Sequence, residues 1–421
     1  MLPPLPLRER HPGSVEDWQT GAGARYSGMR RLLFVLLLGA ESGAPRASTA
    51  PDFQAPPGSA EPFLSATPSG GLLATWFERR DGERRALRIA ERSGGRWSPA
   101  VTVAERDDFF VNWADFPSAI KTSDGRWLVH WLQKTAAKSY AYHIQLVVSA
   151  DQGKTWSAPV TPHTDRSPTE HGFVAMLARA KGGADLVWLD GRQMADSVPG
   201  PMSIVAGAVD RAGRVIGEAI LDRRTCDCCQ TAITRTSEGL LVVYRDRTDQ
   251  EIRDISAVRQ VDGRWTSPVR VAADGWVYKA CPVNGPAVAA IGRGAAVAWF
   301  TGADGTPRVK LARSSDAGAS FGAPMQVDDG NPLGRADIEL LPDGSALVAW
   351  LEIVGDQAEW RIKRIDADGR VQNQWTVGSA PRTRQAGFAR MALSGDNLFL
   401  AWTAPGPRGG VRIERLAITG N

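Results

Sequence analysis

The sequence has few cysteines, histidines and tyrosines, little net charge, and no long hydrophobic run. Its 421 residues include 4 cysteines, 5 histidines and 5 tyrosines, and 50 basic against 46 acidic residues give a formal charge of +4. Because basic and acidic residues are interleaved, nucleic acid is not expected as a partner. The apolar run at 32–38 is too short to span a bilayer. The chain is therefore not expected to span a membrane.

Glycine and tryptophan are plentiful, at 44 and 15 residues. Seven short apolar segments each end in an aromatic residue, and successive aromatics lie about 51 to 57 residues apart. The seven aromatics are Trp76, Trp131, Trp188, Tyr244, Trp299, Trp350 and Trp402. Four short strands and their turns need about this length, so the period predicts one propeller blade per repeat.

A tight turn is the second repeated feature. Residues 149–156 read Ser-Ala-Asp-Gln-Gly-Lys-Thr-Trp, and residues 314–321 read Ser-Ser-Asp-Ala-Gly-Ala-Ser-Phe. The Asp carboxylate is expected to accept hydrogen bonds from turn amides, while the Gly takes a positive φ. Eroded copies stand near Gly94, Gly263 and Gly369. The two octapeptides resemble the Asp box (bacterial neuraminidase repeat) of sialidase-like β-propellers.

The repeats and this resemblance predict an all-β fold, a β-propeller of four-stranded blades. Seven blades are favoured over the six that the sialidase resemblance implies. The last unit, 388–418, offers only three good strands, so a segment near 52–57 is predicted to supply the fourth and close the ring. A closed ring leaves few strand edges exposed, and a monomer is therefore expected.

The first 50 residues are predicted to lie outside the propeller, which occupies 51–421 as a single domain. Met29, Arg30 and Arg31 precede the apolar run, and small residues at 39–50 offer cleavage sites. This is the layout of a secretory signal peptide, with Met29 as the expected true start. The protein is therefore expected to be secreted or periplasmic.

All four cysteines fall in two neighbouring loops: Cys226, Cys228 and Cys229 in one, and Cys281 in the other. Both loops precede the first strand of a repeat, so a propeller brings them together near its axis. In an oxidising compartment the expected state is disulfides, with Cys281 paired to one of the other three. The alternative is a copper or zinc site, because thiolates bind these ions well. No other cofactor is expected.

The remaining loops at the same depth are rich in charged and amide groups, and a propeller directs them towards an axial funnel. Guanidinium groups bind carboxylates through two parallel hydrogen bonds, so the funnel suits a glycan or a small anionic ligand. The predicted substrate-binding residues are Arg245, Asp246, Asn284, Arg335, Asp337, Arg390 and His171. The alternative for each residue is that it pairs with another to hold the blades together.

The resemblance to sialidases implies three arginines that hold the substrate carboxylate, an Asp acid/base and a Tyr nucleophile activated by a Glu. The family's arginine signature belongs in the first unit, where this chain reads Glu61-Pro62-Phe63 without an arginine. This departure argues against a conventional sialidase. The catalytic candidates are Asp115, Glu170 and Tyr278.

Three functions remain open from the sequence. The first is an exported glycoside hydrolase that acts on acidic glycans, and whether the chain is an enzyme is left undecided. The second is a non-catalytic exported propeller that binds a glycan or a protein partner through the funnel. The third is a metal or redox protein centred on the cysteine loops.

Overall fold

A computed structural model describes residues 50–137, 140–195 and 200–418. Their strands form seven antiparallel sheets that follow one another along the chain. The first strand of each sheet contacts the first strands of the preceding and following sheets, and the last sheet contacts the first. These contacts form a closed ring, so the predicted seven-bladed propeller is confirmed. The predicted signal peptide at 29–50 lies almost wholly outside the described residues.

Twenty-nine strands make up the blades. In chain order they are β1 Phe53–Gln54, β2 Ala60–Ala66, β3 Leu72–Arg79, β4 Arg85–Ser93, β5 Arg96–Trp97, β6 Val101–Arg106, β7 Ser118–Lys121, β8 Trp127–Lys134, β9 Tyr142–Ser149, β10 His171–Ala178, β11 Ala184–Asp190, β12 Met202–Val209, β13 Val215–Thr225, β14 Ala232–Thr236, β15 Gly239–Arg245, β16 Ile255–Val261, β17 Arg264–Trp265, β18 Val269–Arg270, β19 Ala287–Ile291, β20 Gly294–Thr301, β21 Arg308–Ser314, β22 Met325–Gln326, β23 Pro332–Leu340, β24 Ala346–Val354, β25 Gln357–Ile365, β26 Val371–Ala380, β27 Arg390–Ser394, β28 Asn397–Thr403 and β29 Val411–Ala417. Short 3-10 helices cover Arg192–Ala195, Ala303–Gly305 and Arg384–Ala386.

The blades begin at β2, β7, β10, β14, β19, β23 and β27. Blade 2 has three regular strands, and Val160 bridges to Leu146 where the fourth would lie. Blade 7 takes its fourth strand from the other end of the chain, because β1 pairs with β29 through Phe53 and Ile413. The predicted closure by the segment near 52–57 is thus confirmed.

The periodic aromatics explain how the blades pack. Each lies on the second strand of its blade and is buried, in the space against the preceding blade. Trp76, for example, packs with Phe399 of blade 7, and Trp131 packs with Phe77 of blade 1. Removing one such side chain from water contributes about 2–3 kcal/mol. The period in the sequence therefore reflects a repeated contact between blades.

The two octapeptides form the same turn between the third and fourth strands of blades 2 and 5. Asp151 Oδ1 accepts hydrogen bonds from the Thr155 amide (2.9 Å) and the Ser149 hydroxyl (2.8 Å), and Asp316 is bonded equivalently. Gly153 has φ +80° and Gly318 has φ +85°. Hydrogen bonding from Thr155 lowers the pKa of Asp151 to about 2. These turns are structural elements of the blades.

The turns between third and fourth strands lie on one face of the ring. The other face, here called the upper face, carries the connections from one blade to the next and those from the second to the third strand of each blade. Both cysteine loops lie there, before β14 and before β19. Within the described ranges, no helix is both long enough and apolar enough to cross a membrane.

Candidate functional site

Within the described residues, polar or aromatic side chains cluster at three places near the axis and the upper face. The first is an axial cavity of about 470 Å³. The second, here called the aromatic pocket, is a cavity of about 250 Å³ beside blades 4, 5 and 6. The third, here called the cysteine cluster, consists of Cys226, Cys228, Cys229 and Cys281.

The axial cavity corresponds to the predicted funnel, but its charged lining is mainly acidic. That lining consists of Asp115, Lys121, Asp337, Glu339 and Arg390. Burial raises the pKa of Asp115 to about 7 and that of Glu339 to about 8. Both cations of the lining are already paired, Lys121 with Glu91 at 2.5 Å and Arg390 with Asp337 at 3.5 Å, an arrangement that does not favour an anionic ligand.

Two of the three predicted arginines, Arg245 and Arg335, are bonded to main-chain carbonyls of neighbouring loops. Arg245 is buried and donates to the main-chain oxygens of Asn284 and Phe300 at 2.6–2.9 Å. Arg335 donates to the carbonyls of Gly387 (2.8 Å) and Thr383 (3.1 Å). A guanidinium used in this way holds loops together and has few N–H groups left for a ligand.

Arg390 and Asp337 form a pair at the wall of the axial cavity. Arg390 Nη1 lies 3.5 Å from Asp337 Oδ1, and the guanidinium stacks over Phe116 at 4.8 Å. Asp337 also accepts the Met391 amide at 2.7 Å. Burial raises the pKa of Asp337, whereas Arg390 opposes that shift. Arg390 and Asp337 therefore pair with each other, which is the alternative that the sequence left open for each predicted residue.

The side chains of Asn284 and Asp246 also form hydrogen bonds to neighbouring residues of the chain. The Asn284 side chain accepts the Arg335 amide at 2.6 Å and donates to the Leu333 carbonyl at 3.3 Å. Asp246 accepts the Ser256 hydroxyl at 3.2 Å, and burial raises its pKa. Of these two residues, Asn284 lines the aromatic pocket, whereas Asp246 is not among the described residues that line that pocket or the axial cavity.

His171 lies in a buried histidine cluster that no pattern in the sequence identified. Its ring stacks on His163 at 4.1 Å, and His143 lies edge-on at 5.0 Å. His171 Nε2 is 2.9 Å from Asp165 and 3.7 Å from Asp190. The ring nitrogens of His163 bond to main-chain groups. This cluster joins blades 2 and 3 and lines neither cavity.

Asp115 and Glu170 do come together, but around Tyr142 instead of Tyr278. The Tyr142 hydroxyl lies 3.5 Å from Glu170 Oε2. A Cβ on Gly172 would fall 2.2 Å from Asp115 Oδ2 and 2.9 Å from the Tyr142 ring, so this position requires glycine. Burial raises the pKa of Tyr142, which keeps it a neutral phenol. A buried, protonated tyrosine is not activated as a nucleophile.

Tyr278 instead lines the aromatic pocket. Its ring stacks on Trp276 with centroids 5.3 Å apart and planes 18° apart, and Trp276 meets Phe300 edge-on at 5.6 Å. The other walls include Asn284 and Asn331. Among the described residues, no cationic side chain lines the pocket. The loop that carries Tyr278 is held against blade 4, where the Tyr278 amide donates to the Glu251 carbonyl at 2.9 Å, so this predicted catalytic residue lines the aromatic pocket and not the axial cavity.

The two cysteine loops meet as expected from their equivalent positions. Cys226 Sγ lies 3.2 Å from Cys229 Sγ and 3.8 Å from Cys228 Sγ. No disulfide joins any of the four, all of which are among the described residues, so the expected disulfides are not confirmed. Burial raises the pKa of the Cys226 thiol to about 12.

Comparison with known proteins supports the fold. No protein-family model matches the chain, and no curated protein matches its sequence. The polysaccharide lyase Uly1 has a similar structure, with a TM-score of 0.51, 8% identity and 96% of each chain covered.

Two other solved structures are similar to a lesser degree. An α-L-arabinofuranosidase from Fusarium graminearum gives a TM-score of 0.49 at 18% identity, over 72% of this chain and 93% of that one. The intramolecular trans-sialidase from Ruminococcus gnavus gives 0.47 at 11% identity, over 86% and 94%. Identities this low show a shared fold alone. At that level the comparison agrees with the predicted β-propeller fold.

Proposed function

We propose that this chain binds a glycan at the aromatic pocket without cleaving it. The observation that carries the proposal is the nearly parallel pair of Trp276 and Tyr278 in the wall of a cavity of about 250 Å³. Ligand sites are concave and mostly apolar, with a few polar groups that orient the ligand. The amides of Asn284 and Asn331 supply such groups here.

The lining favours a neutral sugar over an acidic one. Aromatic faces suit the C–H face of a pyranose ring, and side-chain amides both donate to and accept from hydroxyl groups. Arg245 stacks beneath Trp276 at 4.9 Å, but its N–H groups already bond to main-chain carbonyls. The pocket is smaller than the ~300–1,000 Å³ typical of drug-sized ligands, which suits one sugar unit.

Binding without cleavage is supported by the burial and the contacts of the predicted catalytic residues. Asp115 and Tyr142 are buried, and Glu170 contacts Tyr142 instead of the aromatic pocket. Glycoside hydrolysis requires two groups that flank the scissile bond. Among the residues lining the aromatic pocket there is no carboxylate. The solved structure of similar fold with a TM-score of 0.51 is named a polysaccharide lyase, which makes glycans the first ligand class to test.

Replacing Tyr278 with alanine is expected to weaken sugar binding by about 10-fold or more, because one stacking face is lost. The Tyr278 carbonyl, which accepts Arg253 Nε at 3.1 Å, remains in the variant. Binding is measured by calorimetry against neutral monosaccharides, their oligosaccharides and a sialoside. The assay uses reduced, metal-free protein so that the result depends on the pocket alone.

Tyr140→Ala is the matched control, since Tyr140 is 56% exposed, lies on the upper face and is absent from the pocket. It is expected to bind sugars as the parent does. Equal affinity of the parent and Tyr278→Ala would refute the pocket as the site. Turnover of a fluorogenic sialoside would refute binding without cleavage.

A further inference from the structure

The cysteine cluster combines features that neither the fold nor the proposed sugar site requires. The sulfur atoms of Cys226, Cys228 and Cys229 lie within 4.8 Å of one another. Those of Cys228 and Cys281 also lie within 4.8 Å of each other. Cys228 therefore lies within reach of all three other thiols. Cys226 and Cys229 are buried, whereas Cys228 and Cys281 are half-buried at the upper face.

The separations match metal ligation better than covalent pairing. Zn–S bonds of about 2.3 Å in a tetrahedron place sulfur atoms ~3.8 Å apart. Cys226 and Cys228 show 3.8 Å, and Cys226 and Cys229 show 3.2 Å. A disulfide needs about 2.05 Å. Cys226 and Cys229 also have the C-x-x-C spacing common in thiolate sites, within the longer C-x-C-C motif.

The loops that carry the thiols are held rigidly against each other. A Cβ on Gly285 would fall 2.1 Å from the Gln230 carbonyl, so the two backbones touch at a position that only glycine allows. The Gly285 amide donates to Gln230 Oε1 at 2.9 Å, and the Cys226 amide donates to the Arg245 carbonyl at 3.0 Å. The thiols are thus positioned by the scaffold before any ion binds.

A buried cation with an unused donor provides the independent indication of a ligand. Arg253 is 2% exposed, and its Nη1 has no hydrogen-bond partner among the described residues. That nitrogen lies 4.0 Å from Asp227 Oδ1, in the loop that carries three of the thiols. Arg247 Nη1 is 3.6 Å from the same carboxylate. Arg253 Nη2 already pairs with Glu251 Oε2 at 2.7 Å. Buried donors are normally hydrogen-bonded, so a negatively charged thiolate centre would supply the partner for Nη1 that the described residues do not.

We propose that Cys226, Cys228, Cys229 and Cys281 form a thiolate site for one soft d10 cation, Zn²⁺ or Cu⁺. Both ions prefer sulfur ligands and tolerate tetrahedral geometry. The half-buried Cys228 and Cys281 are the side from which the ion enters. Arg253 and Arg247 offset the net negative charge of the loaded centre. The proposal does not depend on the sugar site.

The test uses the full chain, purified without chelator, reduced, and then titrated with Zn²⁺ or Cu⁺ against a competing chelator. One equivalent of either ion is expected to remain after desalting, and substitution with Co²⁺ is expected to produce sulfur-to-cobalt charge-transfer absorption. The competition titrations identify the ion: preferential retention of Zn²⁺ assigns zinc, and preferential retention of Cu⁺ assigns copper. Retention of neither ion overturns the proposal.

Cys281→Ala is expected to lower the affinity by about 100-fold or more, beyond the 10–100-fold typical of changes to groups that only support a ligand. Cys281→His is the matched control, because imidazole also ligates both ions and is expected to restore most of the affinity. Unchanged thermal midpoints of the metal-free proteins show that the variants fold. Equal affinity of the parent and Cys281→Ala, or mass spectrometry showing all four cysteines disulfide-linked in freshly isolated protein, would contradict the site.

Discussion

Asp52→Ala is expected to lower the free energy of unfolding by about 2–4 kcal/mol, because it leaves a largely buried guanidinium without its carboxylate. Asp52 accepts Arg92 Nε at 2.9 Å and Trp97 Nε1 at 2.7 Å. The two ionic side chains are only 11% and 14% exposed, so solvent screens their interaction weakly. The Asp52 amide also bonds to the Ile413 carbonyl at 2.8 Å.

The position of Asp52 makes this loss a test of ring closure. The residue joins β1, which completes blade 7, to the third and fourth strands of blade 1. Phe53 follows it and contacts Trp76 and Trp97 at 5.2 and 5.0 Å. Loosening β1 exposes the edge of β29, which can pair with another chain. The variant is therefore expected to aggregate at a lower temperature as well.

Urea unfolding followed by tryptophan fluorescence measures the change. Asp368→Ala is the control, since its ion pair with Arg370 is 72% and 76% exposed and contributes little. The closure model predicts a clear shift of the midpoint for Asp52→Ala alone. Similar midpoints for both variants would mean that Asp52 does not hold β1 in place.

Asp115→Asn is expected to stabilise the protein above neutral pH and to have little effect near pH 4. Asp115 is 3% exposed, and burial raises its pKa from 3.8 to about 7. Its Oδ1 accepts the Phe173 amide at 2.8 Å, while Oδ2 has no hydrogen-bond partner among the described residues. The neutral amide of asparagine keeps the acceptor and removes the buried charge.

The direction of this pH dependence of stability follows from proton binding to Asp115. Between pH 3.8 and about 7 the folded state holds a proton on Asp115 that the unfolded state has released. The contribution of Asp115 to the stability of the parent therefore falls as pH rises through this range and changes no further above it. A shift of this size corresponds to at most about 4 kcal/mol at pH 8, at 1.36 kcal/mol per unit. Asparagine leaves a buried N–H₂ group in place of Oδ2, which reduces the gain.

Unfolding midpoints of the parent and the variant between pH 4 and pH 8 test this prediction. Asp396→Asn, at an exposed turn between β27 and β28, is the control and is expected to follow the parent at every pH. An Asp115→Asn curve that runs parallel to the parent would show that the buried carboxyl does not titrate in this range.

Much of the fold was predictable because it repeats. The seven aromatics, spaced about 51 to 57 residues apart, all lie on second strands, and both octapeptides form the predicted turn. Each of these features depends on local sequence and on one neighbouring blade. Because the same contact between blades recurs seven times, the residues that make it form a repeat that can be detected in a single sequence. The closure of blade 7 by β1 followed from counting the strands of the last repeat.

The candidate site was less predictable because it depends on where side chains point. Loop position correctly placed both cysteine loops on one face. It did not show that Arg245 and Arg335 turn inward to main-chain carbonyls, nor that Tyr278 packs on Trp276. The arginine contacts depend on partners about 40 to 55 residues away, which no local pattern records.

The amino-acid sequence by itself determined the number of blades, the turns and the approximate place of the cysteines, because regular spacing and turn chemistry are local properties. Only the tertiary structure decided which charged groups are available to a ligand. Burial and close approach of distant loops set the partners of each guanidinium and carboxyl. The same approach brought four thiols together, while the aromatic rings of the loop that also carries Cys281 formed a separate pocket.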